Sequence, residues 1–117
     1  VYWGDPTDEN PVGCAEVTTD PANPGNVHYM GNDDLPAKDR DIAKPGDPQS
    51  GEGTNPKNGH FVSVNMEPGE ITISANADGK EESTVLPKLF KNSICIVNIY
   101  YSKDDYKNNP TGDWCKK

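Results

Sequence analysis

Gly59-His60-Phe61-Val62-Ser63-Val64-Asn65-Met66-Glu67-Pro68-Gly69-Glu70-Ile71-Thr72-Ile73-Ser74-Ala75-Asn76-Ala77 is the most strongly patterned stretch of this 117-residue chain. Val62, Val64 and Met66 alternate with Ser63 and Asn65. Ile71, Ile73, Ala75 and Ala77 alternate with Thr72, Ser74 and Asn76. A period of two means extended backbone with one face buried. Between the two runs, Glu67-Pro68-Gly69-Glu70 has type II turn chemistry: Pro fixes φ at the second position and Gly accepts the positive φ of the third. The stretch therefore reads as a β-hairpin and the centre of an all-β fold.

Outward from it, residues 93–101 form a third expected strand, with Ile94 and Ile96 on one face and Cys95, Val97 and Ile99 on the other. Apolar side chains on both faces predict a strand covered on both sides. Residues 12–19, 26–30 and 1–3 are shorter strand candidates. Helical periodicity is absent apart from one turn near residues 35–42. Short strands with frequent turn signals describe a β-sandwich. Residues 31–58 carry Pro36, Pro45, Pro48 and Pro56 and few apolar side chains, which predicts a long surface loop. Residues 103–117 read as an irregular tail packed on a single domain spanning 1–102.

Composition narrows the function classes. Only 19 of 117 residues are Val, Ile, Leu or Phe, but most of them lie between Phe61 and Tyr101, where they suffice for one core. A net charge of −8, from 19 acids against 11 bases, argues against nucleic-acid binding and against docking on an anionic membrane. No apolar run approaches the ~20 residues that span a bilayer, and no leader pattern is present, so the chain is expected to be mature and not membrane-inserted.

The cysteines Cys14, Cys95 and Cys115 are far apart and lack zinc, thioredoxin-like or haem spacing. They are expected to form one disulfide and leave one thiol, which points to an oxidising compartment. Three pairings are open, and three reduced thiols are the alternative. Cys95 with Cys115 closes the shortest loop and would tie down the tail, leaving Cys14 free or intermolecular.

Three motifs in chain order are similar to the carboxypeptidase regulatory-like domain family, prealbumin-like sandwiches of secreted and cell-surface proteins. Asn10-Pro11-Val12-Gly13-Cys14-Ala15-Glu16-Val17 resembles the family's opening strand. Val27-His28-Tyr29-Met30 with Leu35-Pro36 resembles the next strand and its exit. Gly59-His60-Phe61 running to Glu67-Pro68-Gly69-Glu70-Ile71-Thr72 resembles its Gly-x-Phe and Pro-Pro-Gly hairpin, with Glu67 in place of the first Pro. The loop 31–58 and the tail after Tyr101 depart from the pattern. The resemblance implies a small prealbumin-like or immunoglobulin-like sandwich used as a spacer, adhesin or assembly domain, and fold alone does not fix the task.

Chemistry-bearing residues are sparse. Hydroxyisourate hydrolases cluster His and Arg, whereas Arg40 is the one Arg of this chain. Intradiol dioxygenases place two Tyr and two His on iron, a set that His28, Tyr29 and His60 do not reproduce; both histidines read as exposed strand residues. Asn32, Asp33, Asp34, Asp39 and Asp41 crowd one loop, so Asp33, Asp34, Asp39 and Asp41 are candidate Ca2+ ligands without an EF-hand register. Tyr2, Trp3, Tyr100, Tyr101, Tyr106 and Trp114 lie toward the chain ends and form a candidate interface. The expected function is a non-enzymatic extracellular or cell-surface structural module, without a cofactor, that packs against copies of itself or another subunit. The alternative is a ligand-binding module for a glycan or Ca2+.

Overall fold

The computed structural model describes residues 1–4, 10–23, 25–37, 40 and 53–102. The fold is all-β. Eight strands lie among these residues: β1 (Tyr2–Trp3), β2 (Asn10–Pro11), β3 (Glu16–Asp20), β4 (Val27–Tyr29), β5 (Phe61–Ser63), β6 (Gly69–Ala77), β7 (Lys80–Leu89) and β8 (Tyr100–Tyr101). They form three small sheets ordered β2-β1-β8, β3-β6-β7 and β4-β5.

The strand whose period-two pattern is strictest is β6. Its Ile71, Ile73, Ala75 and Ala77 are all buried and form the centre of the core with Val12, Ala15, Val17, Tyr29, Ile99 and Tyr101. Antiparallel neighbours occupy both of its edges, β3 in the register Val17↔Ala75 and β7 in the register Ile73↔Thr84.

The hairpin lies elsewhere than the Pro68-Gly69 reading placed it. Phe61–Ser63 pairs with Val27–Tyr29, not with β6, so residues 64–68 form a crossover between two sheets. The actual hairpin joins β6 to β7 through Asp78-Gly79, with Ala77 opposite Lys80 and φ of 53° and 74° at the two loop residues. Positive φ at both central positions is the type I′ turn, whose twist matches that of the strands it joins. Near its end β7 carries a bulge. Gly69 faces Leu89 while Ile71 faces Leu86, so one extra residue is fitted around Pro87, which has no N–H to pair.

The expected strand over residues 93–101 shrinks to Tyr100–Tyr101, which runs parallel to β1. Both edges of β6 are filled, and residues 93–99 join neither outer strand of that sheet, β3 or β7. Ile94 and Ile96 are 95% and 88% exposed.

The strand expected over 12–19 is broken as well. Val12 and Ala15 are fully buried, and Cys14 between them takes a φ of 56°, so the chain bends out of β2 before entering β3. Strands at 1–3 and 26–30 appear as β1 and β4, the latter extended by a bridge from Met30 to Pro36.

The far end of the 31–58 segment is interior rather than surface loop: Gly53, Thr54 and Asn55 are buried. The Thr54 hydroxyl donates to the Val12 carbonyl at 2.7 Å and accepts the Ala15 N–H at 3.0 Å. Its backbone accepts from Cys14 N at 2.7 Å and donates to Ala15 O at 3.1 Å. Arg40 reaches across to the carbonyls of Gly53 at 3.1 Å and Thr54 at 2.9 Å.

Three substitutions test this account. Thr54→Val keeps the shape but strands the Ala15 N–H and the Val12 carbonyl in the interior, so it should cost about 2–4 kcal/mol. Urea midpoints at constant m would read the loss, and an unchanged midpoint would refute it.

The glycines Gly53 and Gly79 both have positive φ, yet a Cβ at Gly53 would sit 2.5 Å from the Ala15 carbonyl oxygen, while at Gly79 it would meet open space. Gly79→Ala should cost about 1 kcal/mol through backbone conformation alone, and Gly53→Ala about 3 kcal/mol or more because backbone must also move. Equal costs in the same urea titration would contradict the packing described.

Candidate functional site

Among the described residues, a cleft of about 1190 Å³ has room for a ligand or partner; it is lined by Tyr2, His60, Phe61, Met66, Phe90 and Ile96 among others. One side is β5 with the crossover 64–68. Residues 90–98 form the other.

A polar chain lies at its edge. The Tyr2 hydroxyl is 3.0 Å from His60 Nε2, and His60 Nδ1 is 2.7 Å from Asp34 Oδ1. A neutral ring protonated on Nδ1 satisfies both contacts, donating to the carboxylate and accepting from the phenol. Each member is placed by a different element. The parallel register of β1 and β8 sets Tyr2 opposite Tyr100, and their rings stack with centroids 5.8 Å apart. The side-chain oxygen Oδ1 of Asn58 accepts the His60 backbone N–H at 3.0 Å. Asp34 sits at φ 61° in the turn after Gly31, where Asp is among the few side chains that tolerate this conformation.

Hydroxyl, imidazole and carboxylate stand in the order that nucleophile, base and orienting group take in covalent catalysis. Here the hydroxyl is a phenol packed on Tyr100. The His60 and Asp34 side chains are 43% and 59% exposed, so water competes for each hydrogen bond. The chain's evident effect is mechanical: it ties β1, the 31–37 turn and the entry to β5 together. The reading of His60 as an exposed strand residue is corrected by these contacts; it precedes β5 and is half-buried. His28 lies in β4 opposite Val62. Positions 2, 34 and 60 share no local spacing, so nothing in the sequence could have flagged them as a set.

The other expected sites divide clearly. Asp33 accepts the Leu35 N–H at 3.1 Å and Asp34 faces His60, so both carboxylates have local partners; Asp39 and Asp41 lie outside the described residues. No three metal-binding side chains gather among the described residues. Of the end aromatics, Tyr2 meets Tyr100 and Trp3 lies opposite Tyr101. Tyr101 is fully buried, its hydroxyl 2.5 Å from the Ala75 carbonyl and 2.9 Å from that of Lys80, so it belongs to the core and not to an interface. Tyr106 and Trp114 lie outside the described residues.

The Val1 amino group, also at the cleft, donates to the Gly59 carbonyl at 2.6 Å, and burial lowers its pKa to about 5.

The cysteine expectation reverses. Cys95 is a free, exposed thiol, while Cys14 is disulfide-bonded. The pairing of Cys95 with Cys115 chosen on loop length is therefore not the one present. Loop-closure entropy ranks pairings only weakly. Cys95 sits on a segment with no sheet to hold it beside a partner.

No family model, curated protein or solved structure matches the chain.

With Cys95 free, Cys115 is the remaining cysteine available to Cys14. Maleimide should label one thiol per native chain, at Cys95, and non-reducing peptide mapping should recover Cys14 joined to Cys115. A recovered peptide joining Cys95 to either cysteine would overturn the assignment.

Proposed function

We propose that this chain is a non-catalytic extracellular module, a small prealbumin-like β-sandwich that packs against other protein chains in a surface filament or multimeric complex. The observation that carries the reading is the apolar lip of the cleft. Phe90, Ile94 and Ile96 are all exposed large hydrophobics that line the same cleft. Exposed apolar surface gathered in one place is the usual mark of a protein-binding region. The disulfide at Cys14 suits an oxidising compartment, and the Pro11-Val12 and Pro68-Gly69 motifs suit the carboxypeptidase regulatory-like pattern. A chain of net charge −8 is a poor partner for nucleic acid, which leaves protein as the natural occupant.

A second reading has one observation in its favour. The stacked Tyr2 and Tyr100 stand beside His60 at the cleft, a combination of ring face and hydrogen-bonding groups that suits a glycan.

The size and composition of the particle isolated from its source decide between them. The assembly reading expects a particle larger than one chain, containing further protein, that Ile94→Asp with Ile96→Asp dissociates by at least tenfold. A single chain with no retained protein would remove it. Tryptophan fluorescence quenched by a sugar panel would then favour the glycan reading.

A further inference from the structure

Residues 93–98, Ser93-Ile94-Cys95-Ile96-Val97-Asn98, have the composition of a strand but lie in no sheet. Three of its six residues, Ile94, Ile96 and Val97, are β-branched and would ordinarily be found in a ladder, because the branched side chain packs well on a pleated surface and the backbone groups find partners there. Here Ile94 and Ile96 stand almost fully in water. The segment is nevertheless anchored. Val97 packs against the core, Ile99 is buried, and the chain runs directly into β8, which pairs with β1. Among the described residues it therefore presents an unpaired, anchored, apolar edge, the form of surface on which strand addition occurs.

Resting on the assembly reading above, we propose that the occupant of this edge is the same segment of a second copy of the chain, added antiparallel about a two-fold axis at Cys95. Two features single out a second copy.

The first is charge. Between Ser83 and Ser102 there is no acid, and Lys88 and Lys91 are the charged residues, although the whole chain carries −8. Two strongly acidic copies repel over most of their surface, and this is the stretch along which they can meet without opposing carboxylates.

The second is register. When Cys95 faces itself, Ile94 of each copy lies opposite Ile96 of the other, Ser93 opposite Val97, and Asn92 opposite Asn98. Lys91 falls opposite Ile99, so no like charges face one another. Each Ile that is exposed in one copy thereby gains an apolar cross-strand partner, the pairing that stabilises sheets. A closed two-fold contact of this kind uses one patch twice. Its core is small beside the ~800 Å² per partner of a standard interface, so the dimer should be concentration-dependent.

Cys95 serves as the reporter. In an antiparallel pair centred on it, the two Cα atoms lie roughly 4.5–5.5 Å apart, within reach of a short bismaleimide. The experiment uses the purified chain alone, by sedimentation over a hundredfold concentration range, followed by cross-linking and peptide mapping.

The expected result is a monomer–dimer equilibrium, with Cys95-to-Cys95 cross-links that Cys95→Ser abolishes. Ile94→Asp and Ile96→Asp should each weaken the dimer at least tenfold. Ile96→Pro should weaken it similarly by removing a backbone donor. All variants should keep the circular dichroism and unfolding midpoint of the parent, since the side chains concerned are exposed.

Four results would overturn the proposal. One is a dimer insensitive to these variants or lacking the Cys95 cross-link, which places the contact elsewhere. Another is slow amide exchange at residues 93–98 in the dilute monomer, which means the chain covers the edge itself. A third is a monomer at every concentration while the particle from the source contains this chain with a different protein; that outcome rejects the second copy but leaves the assembly reading standing. The fourth, a monomer both in isolation and at source, rejects both.

Discussion

The hydroxyl of Thr54 holds residues 12–15 to the rest of the molecule. It gives its proton to the Val12 carbonyl and takes that of the Ala15 N–H, at a position where none of the residue reaches solvent. Residues 12–15 belong to no strand, so their backbone groups have no ladder to satisfy them. A buried amide without a partner costs about 1–3 kcal/mol, and Thr54 supplies partners through both its side chain and its main chain. Gly53 must be glycine for Thr54 to come this close to Ala15, and Arg40 fixes the carbonyls of both residues from the far side. Because residues 12–15 lead into β3, the same contact also sets where β3 meets β6.

This dependence on buried polar links follows from a shortage of apolar side chains. The core contains few large residues, and two of the largest that are fully buried are tyrosines. Each uses its hydroxyl where a sheet leaves a group unmet. Tyr29 accepts the Val17 N–H at 2.7 Å on the outer edge of β3, and Tyr101 sits at the carbonyls of Ala75 and Lys80 beside the β6–β7 turn. A leucine in either place would fill the volume and leave those groups bare. The small sheets are thus joined by phenols as well as by packing, and the rings supply much of the buried area.

The all-β class was legible in the sequence because β6 announces itself: its alternation is uninterrupted and each inward residue is buried. Strand partners were less legible. Pro68-Gly69 and Asp78-Gly79 are both turn signals, but only the second has two residues able to take positive φ, which is the demand of a two-residue hairpin. The polar β7 was not among the expected strands; it is an edge strand whose outward face meets water. Conversely, residues 93–99 looked like a strand covered on both sides, yet they lie in no sheet and leave Ile94 and Ile96 exposed, since composition reports a preference for a ladder and not whether an edge is free. The Tyr2, Asp34 and His60 set was illegible because it depends on the β1–β8 pairing and on a turn, which no spacing encodes.

The misreading of residues 93–99 and the functional reading are two sides of one fact. A stretch with this composition is stable in water only when its edge and its apolar face are covered, and within the described residues nothing covers Ile94 or Ile96. Elsewhere this molecule is sparing with apolar side chains, and among the described residues Trp3 Nε1 is the buried side-chain group left without a hydrogen-bond partner. Placing two isoleucines in solvent beside a cleft, in the one long stretch without acids, runs against that economy. That contrast is what supports the proposal that another polypeptide completes this surface.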